Sequence, residues 1–127
     1  MDRVLVVDDD RDFVRLLSRL LDSPTRRYQV ISAYSGQEGL AMMGYHLPDL
    51  VLLDLGLPDI DGFQVIERIR STPPWQHIPI VVVSGQDEMD NLEVLRGAML
   101  IAKSEGLMPG EVVQWVQKVL DTTTQKA

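Results

Sequence analysis

At 127 residues with no cysteine, the chain is long enough to bury one core without staples and has no disulfide framework. Its 19 acidic against 12 basic residues leave a formal net charge of -7, the wrong sign for a nucleic-acid or anionic-membrane surface. A protein or a metal ion is the expected partner.

In chain order, the first apolar run is VLVV, which starts by Arg3 or Val4 and runs straight into Asp8, Asp9 and Asp10. A strand so near the first residue leaves no room for a signal peptide, and no apolar run approaches a membrane span, so a cytoplasmic setting is expected. Asp10 suits an N-cap, and Phe13, Leu16, Leu17, Leu20 and Leu21 form the apolar stripe of a first helix. YQVISA, Tyr28 to Ala33, reads as a second strand and Gln37 to Tyr45 as a second helix. LVLLDL, Leu50 to Leu55, reads as a third strand and Gly62 to Arg70 as a third helix. IPIVVVS, Ile78 to Ser84, is a fourth strand, followed by a weaker helical segment at Asp87 to Arg96. MLIAKS, Met99 to Ser104, is a fifth strand. Pro109 suits the first turn of a last helix with Val112, Val113, Val116 and Leu120 inward, and Thr122 to Ala127 reads as a flexible tail.

Five repeats of strand and helix with short links predict an α/β domain built on a doubly wound parallel sheet, and the continuously apolar strands fit a sheet covered on both faces. On such sheets ligands sit beyond the carboxyl ends of the strands, where strand order reverses. Asp8 and Asp9 end the first strand, Asp54 lies near the end of the third, and Ser84 and Lys103 lie at the ends of the fourth and fifth. All five map to one edge. Two like charges about 4 Å apart cost about 4 kcal/mol at an effective dielectric of ~20, so acids at this spacing call for water or a cation. A cage of hard oxygens suits Mg²⁺, which takes a few protein oxygens and keeps several waters. An FMN phosphate would want hydroxyls and backbone donors in the first loop, which here is anionic.

VVDDD, SGQEGL, PDLVLLDLGLPDIDG and IPIVVVSG, in that order and spacing, resemble the receiver domain of two-component response regulators. The resemblance covers the chain to about Ser84. It implies a flavodoxin-like (βα)5 fold with five strands in the order 2-1-3-4-5, a receiver domain over residues 1–121 and a tail over 122–127. It also implies that Asp54 is the phosphoacceptor, that Asp8, Asp9, Asp54 and the Gly56 carbonyl hold Mg²⁺, that Ser84 is the switch hydroxyl, and that Lys103 pairs with the phosphoryl group. The implied partners are a sensor histidine kinase, in trans or in the same polypeptide, and a downstream protein or domain. A pseudo-receiver acting only through protein contacts is the rival reading. A metal-dependent phosphatase would want an Asp two residues after Asp54, where Gly56 stands.

Other residues read more plainly. Asp59, Asp61 and Gly62 are turn and cap residues, His46 and His77 surface residues, Met42, Met43 and Met89 helix packing, and Trp75 a loop anchor. Ser84 by itself would also serve as a core hydroxyl capping its strand. After Ser84 the family pattern weakens. The stretch to Lys103 is a few residues short, Leu100 stands where the family has an aromatic, and Ser104 stands where it has a proline, which favours a trans link. A short or displaced fourth helix and an altered switch face are expected. Trp115 flanks the buried stripe of the last helix, where it would be partly covered and could seat a partner or a second copy in a weak homodimer.

Overall fold

Val4 to Val7 are buried side by side because the first strand is covered on both faces: Val4 and Val6 belong to one apolar cluster, Leu5 and Val7 to another. In a computed structural model, which describes residues 2–22, 28–84, 99–102 and 109–124, the strands are β1 (Asp2–Val7), β2 (Tyr28–Ala33), β3 (Leu50–Leu53), β4 (Ile80–Ser84) and β5 (Met99–Ala102). They form one parallel sheet in the order β2-β1-β3-β4-β5, as the resemblance implies. The order reverses between β1 and β3, which makes the carboxyl ends of these two strands the switch point.

Helices α1 (Arg11–Leu21) and α4 (Pro109–Thr124) bury Val14, Leu17, Leu21, Val112, Val116 and Leu120 on one face. Helices α2 (Gly36–His46) and α3 (Gly62–Arg70) bury Met43, Val65, Ile66 and Ile69 on the other. The segment expected as a helix at Asp87 to Arg96, with Met89, lies outside the described residues, as do Lys103 and Ser104.

Several boundaries differ from the sequence reading for local reasons. β1 begins at Asp2, slightly earlier than expected. β3 ends at Leu53, because after Asp54 the chain turns and Gly62 bonds back to the Leu55 carbonyl at 2.9 Å. β4 begins at Ile80, since Pro79 has no N–H for the ladder and the Ile78 amide is already given to Trp75 at the close of a 3₁₀ turn, Pro73–Trp75. β5 ends at Ala102, short of the expected Ser104. α2 stops at His46 because Leu47 precedes Pro48, which disfavours helical backbone, and Leu47 caps the helix at φ 45° instead. α4 overruns to Thr124, so Thr122 to Thr124 of the expected tail are helical: the segment has no Gly or Pro to stop it.

One expected core assignment needs correction. Leu16 and Leu20 are 43% and 41% exposed, while Val14, absent from the expected stripe, is buried with Leu17 and Leu21. The helix carries more apolar residues than one face can bury, and it is rolled so that the narrower 14-17-21 stripe meets the sheet. Trp75, partly buried against the second cluster, anchors its loop as expected, and Met42 and Met43 pack there too.

Candidate functional site

The site starts from the ladder. Val7 of β1 pairs with Leu53 of β3, and the next amide, that of Asp54, donates to the Val7 carbonyl at 2.9 Å. On the other side, the Asp8 amide donates to the Ala33 carbonyl of β2 at 3.0 Å. Asp8 and Asp54 therefore leave the sheet side by side at the switch point.

Three carboxylates converge there. Asp8, Asp9 and Asp54 each offer an oxygen, and these lie within 4.8 Å of one another. Asp8 is only 2% exposed, Asp54 partly buried and Asp9 exposed, so the cluster grades from core to solvent. Backbone donors orient two of them: the Asp10 amide donates to Asp8 Oδ1 at 2.9 Å, and the Gly56 amide to Asp54 Oδ1 at 3.2 Å. The first bond folds the chain over Asp8 so that Asp10 can cap α1, accepting from the Phe13 amide at 3.1 Å. Asp10 is thus a cap, as expected, and stands outside the cluster.

A hard divalent cation fits this donor set. Mg²⁺ takes oxygens at about 2.1 Å, so its ligands span up to about 4 Å, a small side-chain adjustment from the spacing here. One buried and one partly buried acid in such proximity favour a cation over mutual repulsion. The cluster faces solvent at the exposed Asp9, the side on which Mg²⁺ would keep its waters.

The remaining predicted residues divide. Gly56 stands beside Asp54 through its amide. Ser84 ends β4 on the same edge, its backbone in register with Ala102. Lys103 lies outside the described residues.

Sequence reasoning treated Asp59 as a turn residue and missed what it does. Its two carboxylate oxygens accept the amides of Gly36 and Gln37, both at 2.8 Å, at the start of α2. These bonds, Gln37 foremost, hold the Asp59 carboxyl below the usual carboxylate range, against a smaller opposing effect of burial. Ser35 Oγ takes the Glu38 amide at 3.1 Å, and Glu38 Oε1 reaches back to the Tyr34 amide at 3.3 Å. SGQE in the sequence carried the signal for that cap, but nothing local pointed to Asp59. Asp61 behaves as expected and caps α3 through the Gln64 amide at 2.9 Å.

Comparison with known proteins decides the family. Residues 4–101 match the family model of the response regulator receiver domain. The chain belongs to that family. Curated relatives include the response regulator PleD of Caulobacter vibrioides, 41% identical over 85 residues, which cover 67% of this chain and 18% of PleD. The transcriptional regulatory protein KdpE of Mycobacterium tuberculosis is 38% identical over 96 residues, covering 75% of this chain and 40% of KdpE. The receiver thus spans well under half the length of these relatives. Among solved structures, a putative response regulator from Chloroflexus aurantiacus superposes with a TM-score of 0.80 at 31% identity, covering 94% of this chain and 98% of that one. The Mn²⁺-bound form of the response regulator Rcp1 does so with a TM-score of 0.77 at 27% identity, covering 92% of each chain. Among the described residues of this receiver no helix is long and apolar enough to cross a membrane.

Proposed function

We propose that this receiver is a Mg²⁺-dependent phosphoacceptor in which Asp54 takes a phosphoryl group from the phosphohistidine of a sensor histidine kinase, in trans or in the same polypeptide. An Asp54 carboxylate oxygen attacks phosphorus, the P–N bond to the kinase imidazole breaks, and the imidazole leaves with a proton from water. The product is an aspartyl phosphate, which water later hydrolyses back to carboxylate and phosphate. The observation that carries this reading is the convergence of the Asp8, Asp9 and Asp54 oxygens within 4.8 Å, beside an Asp54 that is partly buried at the switch point.

Asp8, Asp9 and Asp54, with the Gly56 carbonyl, hold the cation, whose bound charge offsets that on the transferring oxygens. Asp8 is the buried, backbone-fixed member of the set. The Gly56 amide orients the nucleophile through Asp54 Oδ1. Lys103 neutralises a phosphoryl oxygen, and the Ser84 hydroxyl meets another once the group is in place, which couples the site to an outer surface read by a downstream protein or domain. A cytoplasmic setting suits both partners.

Intact-mass analysis with a small acyl phosphate donor tests this. Wild type gains one phosphoryl mass when Mg²⁺ is present and none after chelation, and Asp54→Asn gains none. Absence of any gain in the wild type would favour the pseudo-receiver, and steady turnover of phosphate esters would mark a phosphatase.

A further inference from the structure

Between Leu53 and Gly62 the chain has neither strand nor helix, yet this loop carries both Asp54 and Gly56. Its two ends are fixed by the backbone: Asp54 donates to Val7 at one end, and Gly62 donates to Leu55 at the other, both at 2.9 Å. Gly62 is held so closely that a Cβ there would lie 2.5 Å from the Leu55 Cα. The middle of the loop is held from outside. Asp59 clasps the Gly36 and Gln37 amides, and Ile60 beside it lies over Gly36, where a Cβ would come within 2.3 Å of Ile60 Cγ1.

We infer that Asp59 is a positioning residue for the phosphoryl-transfer site, tethering the loop to the start of α2 so that Gly56 is already held beside Asp54 when the metal arrives. The inference rests on the proposed phosphoacceptor reading and adds a residue to it. Mg²⁺ demands near-ideal octahedral geometry and tolerates little slack in a backbone ligand. A loop that must be ordered on binding lowers metal affinity, whereas the chemistry, once the metal is bound, is unchanged. Asp59 stands outside the Asp8, Asp9 and Asp54 cluster and its carboxylate accepts from the Gly36 and Gln37 amides, so its effect on the site travels through the loop it anchors.

The test is the Mg²⁺ dependence of phosphorylation by an acyl phosphate donor, followed by intact mass on folded protein checked by circular dichroism. Asp59→Ala should raise the half-saturating Mg²⁺ about tenfold, in line with residues that orient metal ligands. Its rate at saturating Mg²⁺ should remain close to wild type. Asp59→Asn keeps one acceptor oxygen and should fall between. Ser35→Ala removes a bond from the same helix start without touching the loop, and should leave the Mg²⁺ midpoint where it is. An unchanged midpoint in Asp59→Ala, or an equal shift in Ser35→Ala, overturns the tether while the wild-type response upholds the receiver reading. A wild type with no Mg²⁺-dependent phosphorylation overturns both.

Discussion

Asp8 and Asp54 sit on adjacent parallel strands one residue past the paired Val7 and Leu53, and the Asp54 amide is hydrogen-bonded to the Val7 carbonyl at 2.9 Å. The ladder itself brings the two acids together, so a cation bound between them would relieve a repulsion built into the fold. Mg²⁺ at a hundredfold excess over its dissociation constant should therefore raise stability by about 2.7 kcal/mol. Asp9→Ala should remove most of that gain. Thermal melts with and without Mg²⁺ check it, and a melting temperature that ignores the metal would contradict the site.

Two glycines should respond to alanine with opposite signs. At Gly62 a Cβ meets the Leu55 backbone at 2.5 Å, which cannot move aside without shifting the Asp54 loop. Gly62→Ala should cost about 1–3 kcal/mol. Gly44 lies in α2 with nothing within 4 Å of its Cβ position, and Gly44→Ala should add about 0.4–1 kcal/mol by restricting the unfolded chain. Urea unfolding of the two variants reads the difference.

The roll of α1 predicts a graded response. Leu17 is fully buried, so Leu17→Ala should cost about 2–5 kcal/mol. Leu16→Ala and Leu20→Ala, at positions 43% and 41% exposed, should each cost about 1 kcal/mol or less. Equal losses at all three would mean that the helix sits as its apolar residues alone suggest.

That case shows where sequence reasoning ends. The strands were legible because most are short, nearly continuous apolar runs, and the acidic cluster was legible because Asp8, Asp9 and Asp54 fall at strand ends, which parallel topology gathers on one edge. The orientation of α1 was not, because Phe13, Val14, Leu16, Leu17, Leu20 and Leu21 offer more than one apolar stripe and only packing against β2 and α4 chooses. Asp59 was not, because its partners at Gly36 and Gln37 lie more than twenty residues away, and local rules made it a turn residue. Asp61, whose partner is three residues on, was read correctly.

Asp59 also predicts a pH dependence. Its carboxyl is held below the usual range by the Gln37 and Gly36 amides, so its stabilising effect is complete above the unfolded-state value. As the pH falls below that value the effect declines, and it is gone once the folded-state group is protonated. The stability difference between wild type and Asp59→Ala should thus be constant near neutrality and shrink in acid, as followed by denaturant unfolding at stepped pH. A difference that persists undiminished at low pH would show that the charge is not what holds the loop.

The central claim is that Asp54 is the residue that carries the phosphoryl group. Borohydride reduces an aspartyl phosphate to homoserine, so reduction after treatment with an acyl phosphate donor and Mg²⁺ marks the acceptor permanently. Peptide mass mapping should then find the conversion at position 54 and at no other acid. Conversion at Asp8 or Asp9, or an unmarked chain under conditions where Mg²⁺ binds, would contradict the account.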